Sequence, residues 1–198
     1  MTLTEAQNER NGFQGHMRPA GLDPDDAKVA AEAMQEQMIV LLDLSMTLKH
    51  IHWNVVGPGF LAIHEMLDDH VEKVRKMADV LAERAATLGH VPNGLIGYLS
   101  AARSRDDYGL GRATVEAHLG ALDLVYSNVI QSHREAAVAT EEPDPVTNDI
   151  FIGQTADLEQ LQWFVRAHIE NTSGRVPSSM ESNELEAAAT AATSDPLS

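Results

Sequence analysis

The chain contains no cysteine, which removes disulfides, thiolate metal sites and cysteine nucleophiles together. Aromatic residues make up only 5% of its 198 residues, so a core must be built from Leu, Ile, Val, Met and Ala. Basic residues are scarce as well: 14 Lys and Arg stand against 30 Asp and Glu, a formal charge of −16 with His neutral. A surface of that sign opposes simple binding to nucleic acid or anionic lipid, and it attracts cations. No apolar run approaches the roughly 18 residues of a membrane span, and the first residues lack both a basic start and a signal-like apolar stretch. A cytoplasmic protein without membrane attachment is the expectation.

What is present is helical. The length suits one domain with tails. Residues 1–22 are polar and Gly-containing, with Glu5 and Glu9 against Arg10 and Arg18. Residues 171–198 are rich in Ser, Thr and Ala, with four acids (Glu181, Glu184, Glu186, Asp195) against Arg175. Both read as mobile tails around a body over 23–170. Asp23-Pro24 opens a first helix as N-cap and first-turn proline. Its stripe runs through Ala30, Met34, Met38 or Leu41, Leu44 or Ser45, Leu48, and Ile51 or His52 to a break at Gly57-Pro58-Gly59. A second helix carries Phe60, Ile63, Leu67, Val74, Ala78, Leu81, Ala85 and Leu88, with Gly89 at the C′ position. A short helix is predicted near Tyr98–Arg103. A third long helix is predicted from Asp106-Asp107, with Leu119, Leu122, Val125 or Tyr126, and Val129 on its stripe. A fourth runs from the Asp144-Pro145 cap to Ile169, through Phe151, Leu158, Leu161 and Val165. No period-2 strand signal and no repeat appear. The expectation is an all-α four-helix bundle whose second-to-third connection, about 17 residues long, suits a crossover.

Chemistry concentrates at His52, His64, Asp68, Asp79 and Glu83. His64/Asp68 and Asp79/Glu83 are i,i+4 pairs, each sharing a helix face. Imidazole with carboxylates is a mixed N/O set that suits Fe, Mn or Zn. His64 and Asp79 lie 15 residues apart on one helix, about 22 Å at 1.5 Å per residue, so they cannot hold one ion from a single straight chain. Either the pairs are unrelated, or two antiparallel copies of the helix build the site across a two-fold axis, which then forms it twice. No Glu-x-x-His occurs, against a di-iron centre inside one bundle. His64-Glu65-Met66-Leu67-Asp68 approaches the zincin motif but lacks its second His. The histidines at 50, 118, 133 and 168 have no partner motif and read as structural, and the methionines read as core filling.

Lys49-His50-Ile51-His52-Trp53-Asn54-Val55-Val56-Gly57, Phe60, His64-x-x-x-Asp68, Asp79-x-x-x-Glu83-Arg84 and Leu88-Gly89 resemble the Dps family, the miniferritins or DNA-binding proteins from starved cells. Ala117-His118-Leu119, Ala121–Tyr126 and Gln162–His168 agree, most closely with actinobacterial members, and the resemblance spans about 25–170. It implies a ferritin-like four-helix bundle assembled into a homododecameric cage with a ferric oxide core. It also implies ferroxidase centres at the two-fold interfaces. There Asp79 and Glu83 of one chain face His52, His64 and Asp68 of another, and Trp53 absorbs stray oxidising equivalents. The implied substrates are Fe2+ and hydrogen peroxide, preferred over dioxygen. Asp144, Asp149 and Asp157 are candidates for pore lining. The alternatives are a nucleoid-compacting protein, or a metal-dependent hydrolase of N-acyl amino acids on the same fold. The tails offer almost no cations to neutralise phosphates, so DNA binding is expected to be weak or absent.

Overall fold

The computed structural model describes residues 19–170, 175–176 and 180–193. In chain order the described elements are α1 (Pro24–Asn54), β1 (Val55–Val56), α2 (Phe60–Thr87), α3 (Ile96–Ala102), β2 (Ala113–Thr114), α4 (Val115–Thr140), α5 (Pro145–Ile169) and α6 (Glu184–Thr193). The four long helices form a four-helix bundle, with α3 in the long connection, as the apolar periodicity predicts. No described helix is long and apolar enough to cross a membrane.

The helix ends follow local chemistry. Asp23 caps α1 by accepting the Asp25 N–H on Oδ1 at 2.8 Å, and Pro24 takes the first turn, where its missing N–H is not needed. At the end of α2, Gly89 adopts φ 86°. Its N–H and that of His90 donate to the carbonyls of Ala86 and Ala85, the paired bonds of a Schellman stop.

α4 begins later than the sequence suggests. Thr114, not Asp106 or Asp107, is its cap, its Oγ1 accepting the Ala117 N–H at 3.4 Å. Before it, β2 pairs in parallel with β1, Val55 opposite Ala113 and Val56 opposite Thr114. Parallel pairing requires a crossover between the strands, here the stretch containing α2 and α3. Two residues per strand are too few for a periodic signal.

The chain divides into two compact units, each cut from several helices. The first comprises the described residues up to Asp43, Val74–Arg105 and Ser132–Gln154. Its core includes Met34, Leu41, Leu81, Leu88 and Phe151, all fully buried; each such side chain contributes about 1.5–3 kcal/mol. The connection is fastened to α1 within this unit. Gln35 exchanges two hydrogen bonds with the Asn93 backbone at 2.8 and 3.0 Å, and Asp43 accepts Arg103 and Arg105 at 3.1 and 2.8 Å.

The second unit comprises Leu44–Lys73, Asp106–Gln131 and the described residues from Thr155 onward. Leu44, Leu48, Ile51, Ile63, Leu67, Leu119 and Tyr126 are fully buried there. Within the expected C-terminal tail, Glu184–Thr193 is helical and packed in this unit. α6 buries Ala187, Ala188 and Ala191 beside Leu110, Ala117 and Ala121. Gly120 makes the approach possible: a Cβ there meets the Ala191 Cβ at 2.5 Å and the Ala187 carbonyl oxygen at 2.7 Å. Glu184 also accepts the Gly109 N–H at 2.8 Å. Residues 1–18 of the expected N-terminal tail lie outside the described residues.

Candidate metal centre

His52 stands in the last turn of α1 and His64 in the second turn of α2, joined by β1 and the Gly57-Pro58-Gly59 turn. Gly57 and Gly59 adopt φ 102° and 75°, values that admit so sharp a reversal only without a Cβ. The turn stacks the two imidazoles, with centroids 3.5 Å apart and planes inclined by 20°. The stack is locked from both sides. His52 Nδ1 donates to the His64 carbonyl at 2.9 Å, and His64 Nδ1 donates to the His52 carbonyl at 3.0 Å. Carbonyls only accept, so both Nδ1 atoms carry a hydrogen, and in the neutral rings the lone pair lies on Nε2. That is the tautomer a metal-binding histidine needs, and a carbonyl on the other nitrogen is the usual means of setting it. His52 is buried and His64 half-buried. Phe60 closes over His64 at 5.0 Å between centroids, and is 38% exposed instead of joining the core.

Asp68, one turn beyond His64, is exposed and lies 3.5 Å from His52 Nδ1. Its closer partner is Lys49, whose Nζ donates to Oδ1 at 2.6 Å. That hydrogen bond, first among the causes, holds the Asp68 carboxyl below its ordinary value. Lys49 also lies 6.0 Å from the centroid of Trp53, within cation–π range, and Trp53 is 64% exposed. In the sequence Lys49 enters only through the family resemblance, although it stands at i,i+4 spacing to Trp53.

Asp79 and Glu83 are both exposed, one turn apart on α2. Among the described residues, no three His, Asp or Glu side chains converge on one point within the chain. His64/Asp68 and Asp79/Glu83 each share a face of α2, and no complete ligand set forms in one copy among the described residues. Of the pore candidates, Asp149 and Asp157 are exposed, but Asp144 is not available to line a pore. It is buried, pairs with Arg84 at 2.7 Å, and accepts the Thr147 hydroxyl.

Residues 31–174 match the family model of the ferritin-like domain. The DNA protection during starvation protein of Mycolicibacterium smegmatis is 47% identical over 168 residues, which span 85% of this chain and 92% of that protein. Among solved structures, the chain is similar to the Mycobacterium smegmatis Dps, with TM-score 0.82 and 45% identity over 85% of this chain and 97% of that one. It is also similar to DpsA14 from Streptomyces coelicolor, with TM-score 0.79 and 48% identity over 82% and 97%. Fold and family together define an iron-storing miniferritin that protects against oxidative stress. The chain belongs to the Dps family.

Proposed function

We propose that the chain is a ferroxidase that oxidises Fe2+ with hydrogen peroxide at centres shared between two copies, and stores the ferric product in a homododecameric cage in the cytoplasm. Dioxygen is the slower oxidant. The reciprocal locking of His52 and His64, which sets two Nε2 lone pairs before any cation arrives, carries the reading.

Each copy supplies half of a centre. Asp79 and Glu83 of one chain hold the entering Fe2+, and His52, His64 and Asp68 of the other complete the set. Carboxylates with imidazole bind Fe2+ moderately and Fe3+ more strongly, so they favour the oxidised product. Two Fe2+ give one electron each to one hydrogen peroxide, yielding two Fe3+ and two hydroxide ions. With both electrons supplied together, no hydroxyl radical is released. Trp53, exposed beside Lys49, absorbs equivalents that escape this pairing. The −16 subunit draws cations towards the cage, and its acidic surface nucleates ferric oxide.

The test adds Fe2+ anaerobically to the assembled protein, injects hydrogen peroxide, and follows ferric absorbance beside an Asp79→Ala/Glu83→Ala variant. Fast oxidation near two Fe2+ per peroxide, lost in the variant, is the expected result. Oxidation no faster than in buffer, or equally fast in the variant, refutes the reading.

A further inference from the structure

Behind the candidate centre lies a chemical grouping that iron binding does not use. His70 follows Asp68 by two residues on α2, so it leaves the opposite side of a helix only about 10–12 Å across with its side chains. Its ring is 2% exposed, and its Nδ1 lies 2.9 Å from the hydroxyl of Tyr126, which is fully buried. A buried hydroxyl hydrogen requires an acceptor. The phenol therefore donates to Nδ1, and the imidazole hydrogen sits on Nε2. The reverse assignment leaves the phenol O–H without that acceptor as well as an idle Nε2 lone pair. Nε2 itself has no partner among the described residues. Burial pushes the Tyr126 phenol far above its ordinary value and the His70 imidazole down to about 4, so the phenol does not ionise at rest. It can lose an electron only if its proton has somewhere to go, and the bond to His70 supplies the place.

The pair is connected outward. Ring centroids are 5.9 Å apart for Tyr126 and His70, 6.3 Å for His70 and Phe164, and 5.1 Å for Phe164 and Trp163. Trp163 is 60% exposed in the chain. Four rings from α2, α4 and α5 thus run from a dry phenol to an exposed indole. Packing alone does not call for this: an apolar pair of the same shape fills the volume without an orphaned Nε2.

We propose that Tyr126 and His70 form a proton-coupled one-electron redox site, linked to the surface through Phe164 and Trp163, that takes up single oxidising equivalents escaping from iron oxidation. That use rests on the ferroxidase reading; the competence of the pair does not. In the step, an oxidant of the hydroxyl-radical class takes one electron from the Tyr126 phenol and becomes hydroxide. The phenolic proton shifts along the existing hydrogen bond to His70 Nδ1. The products are a neutral tyrosyl radical and an imidazolium, and no bond between heavy atoms changes. An electron from an external reductant of the thiol class, entering at Trp163, restores the phenol as the proton returns.

The test uses the assembled, metal-free protein. Azide radicals made by pulse radiolysis oxidise tryptophan before tyrosine. The expected result is a first-order decay of indolyl absorbance, independent of protein concentration, matched by a rise of tyrosyl absorbance. Tyr126→Phe abolishes the rise, whereas Tyr98→Phe and Tyr108→Phe retain it. Trp163→Phe removes the same phase while changing only an exposed side chain, so it tests the path without disturbing the core. A rise that survives in Tyr126→Phe or in Trp163→Phe, or wild-type indolyl radicals that decay only by second-order encounter, overturns the proposal. Without iron in the sample, this result stands or falls apart from the iron-oxidation assay.

Discussion

Lys49 decides how open the candidate centre is. Its ammonium holds the Asp68 oxygen at 2.6 Å, and on the proposed ligand set it competes with an entering cation for that carboxylate. Lys49→Met is expected to tighten binding of the first Fe2+ several-fold under anaerobic titration, with Asp68 ionised at neutral pH in either protein. Weaker binding in the variant means that Lys49 positions Asp68 and does not compete for it. His64 and Asp68 were readable in the sequence as an i,i+4 pair on one helix face, and His52 only through the family resemblance. The reciprocal bonds were not, since they join residues 12 apart across a turn whose path depends on two positive-φ glycines. The His70–Tyr126 bond is hidden for a related reason: each residue occupies an apolar stripe, where pattern alone suggests packing.

At the scale of elements, Asp144 does three things for α5. Its side chain accepts the Val146 N–H as an N-cap, accepts the Thr147 hydroxyl, and pairs with Arg84 of α2. Burial raises its carboxyl, but the bonds from Thr147 and Arg84 outweigh burial and leave it below its ordinary value. A depressed carboxyl stabilises the fold fully above its unfolded value and loses that contribution as pH falls through the folded one, here below about 3.9. Asp144→Asn is expected to cost about 1–3 kcal/mol at pH 7 and to flatten the acid side of the profile. Urea unfolding across a pH series measures both, and superimposable curves contradict the assignment.

Gly120 gives a second test. Gly120→Ala adds about 1 kcal/mol of helix propensity to α4 while its Cβ collides with α6. Amide hydrogen exchange is therefore expected to quicken across Glu184–Thr193 and to stay unchanged in α4. Protection retained in α6 shows that the interface yields. The long helices were readable because their stripes and caps coincide. α6 was not, because an Ala-rich, acidic segment reads as solvated chain until the groove that receives it is known. The start of α4 was misplaced because acidic pairs signal a helix start as well as a loop, and the deciding threonine cap is a single residue.

For the whole molecule, charge is the governing quantity. The four acids and single arginine of residues 171–198 offer phosphate little, and part of that segment is folded onto the chain as α6. Non-specific DNA affinity comes from cations released as Lys and Arg replace counterions. The chain is therefore expected not to retard plasmid DNA at about 0.15 M salt, despite the name its mycobacterial relative carries. Retardation that persists there, and falls steeply with added salt, shows that the assembly gathers basic residues a single chain does not.

The histidine stack also bears on how such a centre tolerates change. Each ring is steered by the backbone of the other residue, not by its side chain, and a backbone carbonyl survives every substitution. Losing one imidazole therefore leaves its neighbour still aimed. Damage accumulates one ligand at a time, so the two losses add instead of compounding, and a lineage that gave up one histidine would keep a weakened centre from which the other could be recovered.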